Sequence, residues 1–161
     1  ADAPAGVIRI KDKELATHME KEDRSALLVG HIGQKVVLEK DGKVLMCRGH
    51  DFSTRWDFPG GRIHIGEQPK EGLIREVKEE IGADIEVGKP LYPCSSAENK
   101  NGTARYYVVF EGTLLDPGAD FTIAEDEIQE LRWVGLDELR SLETWREWRE
   151  FLEEYLQQYA T

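Results

Sequence analysis

GRIHIGEQPKEGLIREVKEEIGA, residues 61–83, is the stretch on which the reading of this chain turns. Pro69 suits the first turn of a helix and Gly82 the position just past its end, so a helix is predicted from about Pro69 to Ile81. With Glu76 at zero and about 100° per residue, Glu79 falls near 300° and Glu80 near 40°. Leu73, Ile74, Val77 and Ile81 fall between about 60° and 160°. Glu71, Arg75 and Lys78 fall between about 200° and 260°. The helix therefore has a core face, a solvent face and a wall of carboxylates.

That wall is costly. Like charges at i, i+3 and i+4 destabilise by about 0.2–0.5 kcal/mol per pair when exposed, and the helix dipole disfavours negative charge in the last turns. Divalent cations bound against the wall would remove the penalty. Hard oxygen ligands on a rigid element suit Mg²⁺ or Mn²⁺ rather than zinc or copper. Gly60-Gly61 permits close backbone approach, and Gly72 lies on the acid stripe one turn before Glu76, leaving space there.

Outward from this segment, Val36-Val37-Leu38 and Val44-Leu45-Met46 flank Asp41-Gly42 and read as a β-hairpin. Ile85–Val87, Tyr106–Leu115 and Ile128–Val134 read as further strands, with a short helix near Asp137–Leu142. Trp145, Trp148, Leu152, Tyr155 and Tyr159 form the apolar stripe of a C-terminal helix, read as core packing. Residues 1–28 read as an N-terminal extension, with a short helix at Lys13–Arg24, and residues 29–161 as one domain. Strands mixed with helices indicate an α/β domain with helices on the sheet faces.

The chain has 161 residues and a net charge of −11, from 21 basic and 32 acidic side chains. Such a surface repels nucleic-acid backbones and anionic membranes, but not a phosphorylated small molecule that arrives with metal ions. No apolar run reaches the ~18 residues of a membrane span, and no secretory signal is visible. Cys47 and Cys94 fit no metal or redox spacing, which suggests reduced thiols in the cytoplasm.

Gly61, Glu67 and Arg75-Glu76-Val77-Lys78-Glu79-Glu80-Ile81-Gly82-Ala83 resemble the box of the Nudix family, G-x5-E-x7-R-E-U-x-E-E-x-G-U, with U a bulky aliphatic. The departure is Ala83, small where Ile, Leu or Val is usual. Trp56-Asp57-Phe58-Pro59-Gly60-Gly61 is similar to the lead-in of MutT-type members, and Trp133-Val134 with Leu136–Leu139 to the family's late strand and turn. The resemblance covers about Gly30 to Leu142.

It implies an α/β/α sandwich with a mixed sheet and a loop–helix–loop metal site, and hydrolysis of a nucleoside diphosphate linked to another group. Glu76, Glu79 and Glu80, with the Gly60 carbonyl, would hold Mg²⁺ or Mn²⁺, more than one ion. Glu67 and Arg75 would hold the ligands in place. The base that takes the proton from water would come from the box (Glu76 or Glu79) or from Glu125-Asp126-Glu127, of which Glu127 is the choice. Arg48, Arg55 and Trp56 are the candidates for substrate contact. Trp56 itself, with Phe58, Tyr92, Tyr106 and Tyr107, is a stacking candidate that reads first as core, and His50 and His64 have no ligand spacing.

A nucleoside triphosphate is the expected substrate. ADP-ribose or a nucleotide sugar is the alternative, although position 98 is Glu where those members carry Pro. A non-catalytic nucleotide sensor is the reading from another class; such modules often lose box glutamates, and this chain keeps them. The isoprenoid diphosphate isomerase branch needs a cysteine placed otherwise. No nucleic-acid or membrane partner is expected, and a homodimer is left open.

Overall fold

The computed structural model describes residues 28–50, 54–96 and 104–158. Residues 1–27 of the expected 1–28 extension, with the helix expected at Lys13–Arg24, lie outside them. Five strands form one mixed sheet: β1 Gly30–Lys40, β2 Lys43–Gly49, β3 Ile85–Ser96, β4 Ala104–Leu114 and β5 Ile128–Gly135, in spatial order β3-β4-β1-β2-β5. β1 and β4 run parallel; the other neighbours are antiparallel. The hairpin turns at Asp41 and Gly42, both at positive φ (52° and 70°), the conformation that a two-residue turn between twisted strands demands.

Alternation along the strands separates two cores, because successive side chains leave opposite faces. Val36, Leu38, Leu45 and Phe110 pack on one face with Leu73, Val77 and Ile81 of α1 (Pro69–Ile81). Val37, Val44, Met46, Val109 and Val134 pack on the other. That second face is covered by Leu139 of α2 (Leu136–Leu139) and by Trp148, Phe151, Leu152 and Leu156 of α3 (Trp148–Gln157). The result is an α/β fold with helices on both faces of the sheet.

Several expectations shift. Ile74 is exposed: at about 160° it sits at the edge of the apolar arc, next to Lys78. β3 runs to Ser96 through Pro90 and Pro93, with register shifts on either side of Pro90. It is an edge strand, where proline is tolerated. α3 begins at Trp148 rather than Trp145; Phe151 and Leu156 join its buried side, and Tyr159 lies outside the described residues.

One irregularity positions the site. β1 and β2 pair next to their turn, at Glu39–Val44 and Lys40–Lys43, and their further ladders are with β4 and β5. Residues 56–63 bond to both strands. Cys47 and Asp57 exchange backbone hydrogen bonds at 2.8 Å, and Gln34 and Val36 N–H donate to the carbonyls of Gly61 (2.9 Å) and Pro59 (3.0 Å). The glycine turn thus reaches α1 from between two strands.

Candidate active site

The three box carboxylates differ in surroundings as their helical angles require. Glu79, furthest from the core arc, has 57% of its side chain exposed; Glu76 has 15%. Glu80, beside Leu73 on the helix surface, is half-buried, and its Oε2 accepts the Gly60 N–H at 2.8 Å. Burial pushes its carboxyl up to about 7, against the pull of Lys35 and the Gly60 N–H.

Arg75 ties the acids together. Its Nε and Nη2 donate to Glu67 at 2.6 and 3.1 Å, and its Nη1 donates to Glu76 and Glu79 at 2.9 Å each. Nη2 also reaches the Arg62 carbonyl at 3.2 Å. The guanidinium's hydrogen bond, with the His64 N–H at 2.8 Å, holds the Glu67 carboxyl down at about 2. The same partners, Glu67 first, raise the Arg75 pKa. Bidentate guanidinium–carboxylate geometry fixes orientation as well as charge.

The glycines admit this packing. A Cβ on Gly61 would lie 2.4 Å from Glu76 Oε2, and one on Gly72 3.0 Å from Glu67 Oε2. Among the described residues no three acidic, His or Cys side chains converge on one point: Glu76 and Glu79 turn to Arg75, and Glu80 to Gly60. The donor set still suits a hard divalent cation. It consists of carboxylate oxygens along one helix edge and a carbonyl on a close-packed glycine turn, with no thiol or imidazole among them.

The other predicted residues are spread more widely. Glu127 is exposed, in the loop that precedes β5. That loop is anchored to the end of α1, since Thr122 and Ala124 N–H donate to the carbonyls of Ile81 (3.0 Å) and Glu80 (2.8 Å). Arg48 pairs with Glu130 at 2.8 Å, and Arg55 lies over Trp145 at 4.8 Å. Trp56 is buried at 8% exposure, with Arg48 at 5.6 Å and Arg132 at 4.7 Å from its ring. Both cysteines are free thiols, and burial raises their pKa values.

Two polar residues at the site escaped the sequence reading. Lys35 is buried within β1; its Nζ contacts Asp57 Oδ2 and the Gly60 carbonyl, each at 2.8 Å. Burial works against its charge, but Asp57 and then Glu80 outweigh that and raise its pKa. A lysine inside the apolar run of β1 and an acid in the glycine lead-in were the available signals.

The model of the NUDIX domain matches residues 34–155. A CTP pyrophosphohydrolase of Escherichia coli (strain K12) is 34% identical over 105 residues, covering 63% of this chain and 73% of that protein. An RNA pyrophosphohydrolase of a Nitratiruptor species is 59% identical over 108 residues, covering 55% of this chain and 64% of its own length. Among solved structures, the MutT protein of Methanosarcina mazei Go1 superposes with a TM-score of 0.70 at 25% identity, over 84% of this chain and all of that one. The chain belongs to the Nudix family and is a hydrolase acting on pyrophosphate bonds.

Proposed function

We propose that this enzyme hydrolyses nucleoside triphosphates, with Glu76, Glu79, Glu80 and the Gly60 carbonyl holding Mg²⁺ or Mn²⁺. The observation that carries the reading is the Arg75 clamp. A single guanidinium holds Glu67, from the loop before α1, together with Glu76 and Glu79 on the acidic edge of that helix, where like charges otherwise repel. When bound, such ions neutralise phosphate oxygens and lower the pKa of a coordinated water. Arg75 and Glu67 keep the carboxylates in register for them. Glu127 accepts the proton from the attacking water; the backbone anchors of its loop at Ile81 and Glu80 support this role.

We assign Arg48, paired with Glu130, and Arg55, over Trp145, to contact with the substrate's phosphates, with Trp56 packed between Arg48 and Arg132. The similarity to a CTP pyrophosphohydrolase supports a triphosphate, and CTP is the first to test. The net charge of −11 favours a free nucleotide over a polynucleotide end. We place the enzyme in the cytoplasm, on the strength of its two free thiols; among the described residues no helix is long and apolar enough to cross a membrane.

The test is a substrate screen with Mg²⁺ that resolves pyrophosphate from orthophosphate. Release of pyrophosphate and nucleoside monophosphate from CTP or another triphosphate supports the proposal. Cleavage of ADP-ribose with triphosphates untouched overturns it.

A further inference from the structure

Lys35, buried within β1, forms a largely buried ion pair with Asp57, 24% of whose side chain is exposed. Replacing such a pair by apolar side chains of similar size is often neutral or stabilising, so its presence calls for a role beyond stability. Its hydrogen bonds lead in two directions. On one side, Lys35 Nζ donates to the Gly60 carbonyl at 2.8 Å. On the other, Asp57 Oδ1 accepts Trp148 Nε1–H from the first turn of α3 at 2.8 Å, and the Phe58 N–H at 2.8 Å.

Gly60 itself has φ 120°, and a Cβ there would lie 2.5 Å from the Gln34 carbonyl and 2.8 Å from Leu73. The turn is therefore pressed between β1 and α1. Glu80 holds its N–H and Lys35 its carbonyl oxygen, so both polar groups of one glycine are fixed by charged side chains from different elements.

We infer that Lys35 is a positioning residue for the metal-binding turn, and that Asp57 and Trp148 extend this strut from the Gly60 carbonyl to the C-terminal helix. The inference rests on the reading of Gly60 and Glu80 as metal ligands. A carbonyl oxygen has two lone pairs, so the one engaged by Lys35 leaves the other for a cation. The strut holds that carbonyl in place on a turn whose N–H is bonded to Glu80 on the acidic edge of α1. The Trp148 indole N–H of α3, on the opposite face of the sheet, thereby bears on metal affinity with no α3 side chain among the ligands.

The experiment measures Mn²⁺ dissociation constants from the free-ion paramagnetic resonance signal, with thermal melting of each protein as the control for folding. The double substitution K35M/D57L removes the strut without changing net charge. It should bind Mn²⁺ about tenfold more weakly, as loss of a group behind a ligand does, while melting near the parent's temperature. W148F keeps an aromatic ring but loses the indole N–H, which is two bonds further from the ligand, and should weaken binding by less, about two- to fivefold, below the ~10–100-fold typical of a group that touches the ligand itself. K35R, which retains a cationic donor, should recover most of the affinity.

A folded K35M/D57L that binds Mn²⁺ as tightly as the parent overturns the strut. If the double variant does not fold, W148F decides: parent-like affinity there overturns it as well. E80Q separates this failure from a failure of the metal reading. Weaker uptake by E80Q than by the parent leaves the metal reading standing whatever the strut variants do; equal uptake by the two overturns both.

Discussion

The helices on the two faces of the sheet are built to opposite ends. α3 buries Trp148, Phe151, Leu152 and Leu156, and Phe58 makes edge-to-face contacts with Trp148 and Phe151 at 5.8 and 5.6 Å. Burial accounts for nearly every choice along that face. α1 buries a narrower edge of Leu73, Val77 and Ile81, and spends the surface beside it on Glu76, Glu79 and Glu80. Burial does not explain that edge, and like-charge repulsion argues against it. A helix whose sequence exceeds the needs of packing is the one to associate with chemistry; α3 is accounted for by packing apart from one polar group, the Trp148 indole N–H bonded to Asp57.

Substitutions on the two helices should therefore separate activity from stability. E80Q on α1 should abolish metal-dependent turnover while the protein melts at or above the parent's temperature, because one carboxylate of a repelling set is gone; steady-state rates beside calorimetry check this. F151A on α3 should do the reverse. It should cost about 3–5 kcal/mol of stability, seen as a lower urea midpoint, with turnover per folded molecule nearly unchanged.

E127Q should slow turnover about a hundredfold, the low end for loss of a general base, with the Mn²⁺ dissociation constant unmoved. Parent-like rates would move the proton acceptor to Glu76 or Glu79. R75K should cost about tenfold to a hundredfold in metal affinity, since a lysine cannot span three carboxylates as a guanidinium does.

The smallest effect concerns acid. The Glu67 carboxyl lies at about 2 in the fold, below its ordinary value of 4.5. Its contribution to stability is therefore complete above about pH 4.5 and is lost as the pH falls toward 2. E67Q should flatten that part of the acid-unfolding curve.

The contrast between the helices also marks what the sequence made legible. The box helix, its caps and the Asp41-Gly42 turn are local: each depends on residues a few positions apart. The register of hydrophobic residues along β1, β2 and β5 was readable for the same reason. β3 reads from sequence only as Ile85–Val87, because prolines at 90 and 93 look like breaks unless the strand is known to lie at an edge. The family pattern pairs Arg75 with Glu67 as supports for the acids; the reach of one guanidinium to both Glu76 and Glu79 needs coordinates.

Lys35 and Asp57, separated by 22 positions, acquire meaning only when residues 56–63 reach both β1 and β2. Trp56 reads first as core and second as a substrate contact; it is buried, and its neighbours there are two arginines from β2 and β5. Pairings of this kind depend on which strands adjoin, which no local pattern encodes.

The most direct test is a titration of the isotopically labelled protein with Mn²⁺, followed by loss of amide resonances to paramagnetic broadening. The account predicts that Gly60, Glu76, Glu79 and Glu80 vanish first, and that the E76Q/E79Q/E80Q triple substitution spares them. Broadening that begins at other surface acids, such as Asp116 and Asp120, or none at the box helix with nucleotide present, would contradict it.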